Sequence, residues 1–305
     1  MGRPLSKLGG LLPPGRAPGG ALTPVLAALL LAGCSEGTAV GDDAGPDAAA
    51  EAAACDGIFV QEVQARVVDE AGAAVPEARA QLCARLSPDD NLVCLFPETA
   101  DADGRVTIRP EGANRCLNSA KMRVLLPSST LTTTYCDVPL PGDPVVEVDA
   151  DYVLYDSTPA TDLPPEGDVV EVRTVSFTDG LEVDVQPQSM FPPGSYASLG
   201  ARLLEPEAPR PCWDDGSFRA IWAFDPEVNL AFAGAFRAPN PSPEELEAGD
   251  EVEILVLGGL DTRTREGFAV EEAAIEPIGT GTISEDGTTV ETEVELPVLN
   301  WMMLR

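Results

Sequence analysis

The 305-residue chain contains no histidine. That absence removes the Ser-His-Asp triad, the Cys-His pair and the His-ligated zinc site. Positive charge is also scarce: 19 Lys and Arg stand against 51 Asp and Glu, a formal net charge of −32. Phosphate backbones need a basic stripe, so nucleic acid is excluded as a partner. A polybasic membrane footprint is excluded for the same reason. The lysines are Lys7 and Lys121 alone, and Ser119-Ala120-Lys121 lacks the SxxK spacing of a Ser-Lys dyad. No Gly-rich phosphate loop sits at a strand-helix junction. Asp261-Thr262-Arg263, the nearest string to an aspartic-protease turn, lacks the glycine. With 29 prolines and 28 glycines, long helices are not expected and turns should be frequent. What the chain does have is 44% hydrophobic residues, enough to build cores.

The N-terminus reads as an address. Residues 1–20 hold Arg3, Lys7 and Arg16 with no acid, and an apolar run follows from Ala21 to Gly33. This run is too short to span a bilayer stably. It closes on Leu31-Ala32-Gly33-Cys34, which resembles the bacterial lipoprotein lipobox. The resemblance implies that Leu31, Ala32 and Gly33 are read by the signal peptidase. Cys34 then accepts the diacylglycerol as the membrane anchor. Ser35, where an inner-membrane retention signal would have aspartate, implies outer-membrane delivery by the enterobacterial sorting rule. Cleavage after Gly33 removes three cations and no acids. It leaves 272 residues, 16 cations and 51 acids, a formal charge of −35.

Residues 34–56 form an acidic, low-complexity stretch without the apolar content to fold, and read as a tether. Such tethers resemble those of myxobacterial surface lipoproteins. Asp42, Asp43 and Asp47 are a weak calcium candidate, since nothing fixes their geometry. From Ile58 the pattern turns to β alternation. Phe59 to Val68 and Val75 to Cys83 are predicted strands, and the polar turn within Thr99 to Ile108 leads into another, with turns at Asp69-Glu70-Ala71-Gly72 and Asp101-Ala102-Asp103-Gly104. The strings VVDEAGAAVPEARAQL and TADADGRVTI resemble the carboxypeptidase-regulatory-like, transthyretin-type β-sandwich. The resemblance implies a sandwich over 57–156, with the DxDG element a turn.

A Pro-rich connector, 157–168, leads to a second β-rich segment, 169–305. Strands are predicted at Val169–Phe177, Leu181–Val185, Ala197–Leu204, Phe218–Phe224, Val228–Phe236, Glu251–Leu257, Gly267–Ile275, Thr280–Ile283, Thr289–Leu296 and near Trp301. One helical turn is predicted from Ser242-Pro243-Glu244-Glu245. GLEVDVQPQSMFPPG, AIWAFDPEVNLAFAGAFRAPNP and GTGTISEDGTTVETEVE resemble the opening, centre and closing hairpin of ZU5-like β-domains. Val228-Asn229 replaces the family's glycine. The fold class is therefore all-β, two β-sandwich domains after a signal peptide and tether.

Seven cysteines less Cys34 leave Cys55, Cys83, Cys94, Cys116, Cys136 and Cys212, an even set in an exported chain and hence three disulfides. Cys83 with Cys94 is the easiest pair. Cys116 with Cys136 is next, which leaves Cys55 with Cys212. The spacing gives no CxxC, so no metal site is expected.

The function expected is a structural or protein-interaction role at the cell envelope, lipid-anchored and without catalysis or cofactor. Its partners are the membrane, through the N-terminal lipid, and envelope or extracellular proteins. One alternative is a surface module for carbohydrate or calcium. For sugar, Trp213 in a loop beside Asp214 and Asp215 is the best platform, whereas Trp222 and Trp301 read as packing. A second alternative is a carboxylate-based hydrolase, with no pair of acids to single out.

Overall fold

A computed structural model describes residues 52, 54–88, 91–260 and 270–305. The lipobox residues Leu31, Ala32, Gly33 and Cys34, and the tether acids Asp42, Asp43 and Asp47, lie outside the described residues. So does most of the strand expected at Gly267–Ile275. The protein is all-β: among the described residues the helical elements are short, and include the 3₁₀ turns Gly112–Arg115, Pro187–Ser189 and Ser195–Ser198.

The first half is two sheets face to face. In one, Glu62–Asp69 runs antiparallel to Arg105–Ile108 and parallel to Val145–Glu147 and Tyr152–Leu154. In the other, Arg79–Arg85 and Ser119–Leu125 pair along their full lengths, flanked by Val93–Cys94, Glu98–Thr99 and Thr134–Asp137. Their strands alternate as a half-buried surface must. Ala120, Met122 and Val124 are buried, while Lys121 and Arg123 point away. The inward set meets Val63, Val67, Val106 and Ile108 of the facing sheet in one core.

Both predicted turns are present. The Asp69 carboxylate accepts from the Ala71 and Ala73 amides at 2.9 Å, and that of Asp101 from the Asp103 and Arg105 amides at 2.9 Å. Gly104 has φ +74, and a Cβ there would stand 2.3 Å from the Val67 carbonyl oxygen. Only glycine meets both conditions.

In the second half the sheet closes on itself. Ala220–Pro239 pairs with Thr289–Glu291, then Ile275–Ile283, Glu251–Leu257 and Glu295–Leu304, which returns to Ala220–Pro239. Closure removes free edges. Arg173–Ser176 and Glu182–Val185 extend from this ring. One sequence expectation changes here, and one is met. The strands predicted on either side of Asp225-Pro226 are one 20-residue strand, carried past the proline by register shifts. Proline lacks a ladder donor, so a bulge is where a strand tolerates it. The helical turn at Ser242 is a single turn, in which the Ser242 carbonyl accepts from the Leu246 amide at 2.8 Å.

The Pro-rich connector is pinned rather than free. The Ala160 amide donates to Leu199, and the Thr161 and Asp162 amides to Ser176. Among the described residues, all belong to one compact unit, Gly45–Arg305.

Candidate functional site

Where the two halves meet, the second half's strands are apolar on both faces. In Glu251–Leu257, Val252, Ile254 and Val256 fill the ring interior, while Leu255 and Leu257 face outward. Trp301 and Met303 do the same in Glu295–Leu304, and Ile221 and Ala223 in Ala220–Pro239. The outward set packs with Tyr135 and Tyr155 of the first half into a third core cluster. Trp301 is fully buried, and its indole N–H donates to the Thr133 carbonyl at 2.7 Å. Tyr155 and Trp213 stand edge-on to it, with ring centroids at 5.3 and 5.2 Å.

A buried polar network seals the same junction. Arg123 donates to Glu227 through Nη2 at 2.8 Å and through Nε at 3.2 Å. Its Nε also approaches the Tyr135 hydroxyl at 2.8 Å, and that hydroxyl donates to Glu227 Oε1 at 2.8 Å. The Leu260 amide donates to the same oxygen at 2.7 Å. Gly259 lets the chain come this close, since a Cβ there would stand 2.3 Å from Glu227 Oε1. Burial opposes the Arg123 charge, but Glu227 and Tyr135 outweigh it and hold the guanidinium protonated. Burial, and then Glu227, push the Tyr135 hydroxyl well above the ordinary phenol range. The network is thus a fixed ion pair with a neutral tyrosine. Nearer the connector, both nitrogens of the Arg202 fork donate to Glu70.

All six described cysteines are joined in disulfides. Cys83–Cys94 is the pair the spacing favours, directly opposed across two strands. The other two expectations, Cys116 with Cys136 and Cys55 with Cys212, are wrong: the bridges are Cys55–Cys116 and Cys136–Cys212. Pairing of Ile58–Phe59 with Cys116–Leu117 carries Cys55 to Cys116. Cys136, on Thr134–Asp137, lies beside the loop that holds Cys212, so this bridge links the two halves. Each closure contributes about 2–4 kcal/mol. Cys94 Sγ and Cys83 Sγ lie 3.1 and 3.8 Å from Glu272 Oε1. In the disulfide state neither sulfur is a thiolate, so the trio is not a metal centre.

The loop residues singled out for ligand binding have structural contacts. Trp213 is half-buried, with Trp301 and Phe218 edge-on to its ring. This makes it part of the junction and not an open stacking platform. Asp214 accepts from the Gly216 amide at 2.8 Å and lies 3.4 Å from Arg210. Asp215 accepts from the Ser217 amide at 2.9 Å, and hydrogen bonds from Ser217 hold its carboxyl below the ordinary range. Trp222 is wholly buried in the ring core. Burial, and then Asp156, push the Asp225 carboxyl up to about 7.

Among the described residues, exposed apolar side chains border two grooves. Phe96 is 93% exposed and Val93 47%, beside a groove of about 600 Å³ that includes Cys94, Leu95 and Arg109. On the second half, Val172 is 61% exposed and Phe232 44%, on a groove of about 640 Å³. Exposed apolar side chains that gather into one patch mark contact surfaces. The sequence signal for Phe96 and Val172 was weak, because a single apolar residue in a strand pattern reads as core. No family model matches the chain, and no curated protein matches it.

Proposed function

We propose that the protein is an exported bacterial lipoprotein, anchored at the outer membrane through acylated Cys34, with a non-catalytic protein-interaction role. The observation that carries the interaction role is the exposure of Phe96 and Val172 on a body whose two halves are locked together. The junction spends its buried charge and aromatics on internal contacts, and the apolar residues left in water face outward. Three disulfides agree with an oxidising compartment. Two facing sheets in residues 57–156 agree with the carboxypeptidase-regulatory-like resemblance, and the ZU5-like resemblance is our reading for residues 169–305. At a formal −35 the mature chain repels anionic lipid and stays in solution except at its anchor.

Cys34→Ala tests the anchor. Expressed with its leader in a bacterium, wild type is expected in the detergent-soluble membrane fraction and the variant in the aqueous fraction. A Cys34→Ala chain that still sediments with membranes would remove the lipoprotein reading.

A further inference from the structure

Asp225 stands at the seam between the two halves. In Ala220–Pro239, Ile221 and Ala223 face the junction, and Trp222 and Phe224 the ring interior. Pairing with Gly200–Leu203 is regular through Asp225, so its carboxyl continues the outward row, directly opposite Gly200. Gly200 is where the Pro-rich connector crosses the strand. A Cβ there would stand 2.9 Å from the Ser157 hydroxyl and 2.9 Å from the Thr158 carbonyl oxygen. The Ala201 amide donates to that carbonyl at 2.9 Å, and Pro159 bridges to Gly200.

Asp156, one residue before the connector, brings a second carboxylate to the rim of this seam, and its charge acts on Asp225. Asp156 is held in place: it accepts from the Thr130 hydroxyl, its amide donates to Glu70 at 3.2 Å, and Arg202 donates to its carbonyl at 3.2 Å. The other ionisable groups around the seam are engaged elsewhere. Arg202, from Gly200–Leu203, holds Glu70 with its fork. Tyr155 donates its hydroxyl to the Pro209 carbonyl at 3.0 Å. Glu227, two residues along the same strand, holds Arg123. On the strand's other side, Glu295–Leu304 contributes Leu299, Asn300 and Trp301, none of which titrates.

We infer that Asp225 works as a proton-operated latch on the connector. With a proton on its carboxyl, the connector closes over Gly200. When that proton passes to water, two carboxylates face each other across the seam, and the connector lifts from Gly200–Leu203. The Cys136–Cys212 bridge and the Arg123–Glu227 pair hold the halves together meanwhile, so the opening is local. Linkage sets the direction. Burial, and then Asp156, push the carboxyl up from 3.8 to about 7. The stability that the proton gives the closed connector is full below pH 3.8 and is lost as the pH rises through about 7.

The test uses the full-length protein purified in detergent and hydrogen exchange at the Ser157, Ala160 and Ala201 amides, which bond across the connector. Each rate is divided by that of Asp225→Asn at the same pH, which cancels the ordinary rise of exchange with pH. The ratio should climb roughly tenfold or more from about pH 5 to about pH 8. At Val124, in the first-half sheet, it should stay level. Asp156→Asn removes the facing charge and leaves the burial, so its climb should begin at lower pH. Carboxyl-carbon NMR gives a reading that does not need Asp225→Asn to fold: one aspartate resonance should titrate near neutral pH in wild type, and at lower pH in Asp156→Asn.

A level ratio would overturn the proposal, and so would aspartate resonances that all titrate in the ordinary range. An equal climb at Val124 would mean global unfolding and no latch. An unshifted response in Asp156→Asn would remove the pair across the seam, and the proposal with it.

Discussion

Glu227→Ala is expected to destabilise the folded protein by about 3–5 kcal/mol, because it strands a buried charge. The Arg123 and Glu227 side chains are 15% and 7% exposed, so water cannot replace the lost partner fully. Alanine removes the acceptor for Arg123, the Tyr135 hydroxyl and the Leu260 amide at once. Each donor left unmet in a dry site adds its own desolvation cost. Removing both charges together, Arg123→Met with Glu227→Leu, should cost less than Glu227→Ala alone, since an apolar pair of similar volume leaves no ion behind. Urea unfolding of the three proteins reads this directly. A Glu227→Ala midpoint within error of wild type would mean that the network is solvated and does not join the halves.

Trp301→Ala should cost a similar amount, about 3–5 kcal/mol for a large buried aromatic. Its ring has Tyr155 and Trp213 packed edge-on, and its N–H satisfies the Thr133 carbonyl. Trp301→Phe separates the two contributions. It keeps most of the ring contact and abandons the hydrogen bond, and about 1–3 kcal/mol is expected for the unmet carbonyl. Trp222→Ala, in the ring interior, should lower stability without loosening the junction. Hydrogen exchange at Thr134–Asp137 distinguishes them: it should rise disproportionately in the Trp301 variants alone. Equal exchange in both would place Trp301 outside the junction's energetics.

Much of this architecture was legible in the residues. Alternation over much of Phe59–Val68 marked the strand Glu62–Asp69, strict alternation marked Glu182–Val185, and Asp-plus-glycine strings marked the turns at Gly72 and Gly104. The junction was partly legible too. EILVL and WMML are apolar without alternation, and a strand buried on both faces reads that way. Such runs do not say which neighbour covers the second face, so Trp301 could be read as packing but not as an interface. The Arg123–Glu227 pair was illegible, since 104 residues separate its members and each looks like an ordinary charge on a strand. Disulfide pairing failed for a related reason. Spacing suits short loops such as Cys83 to Cys94, but Cys55–Cys116 and Cys136–Cys212, 61 and 76 residues apart, are set by tertiary contact. Tryptophan beside acids suggested a sugar site at Trp213, and the sequence held no sign that its ring also packs against the junction cluster.

The central claim is that the two β-halves are one body. Urea unfolding followed by two probes tests it most directly. Fluorescence of Trp213, Trp222 and Trp301 reports on the second half and the junction, and hydrogen exchange at Glu62–Asp69 and Ser119–Leu125 reports on the first-half sheets. With the disulfides intact, the two probes should give one coincident transition, and Glu227→Ala should shift both together. Two transitions separated in urea, with Glu227→Ala moving only one, would contradict it.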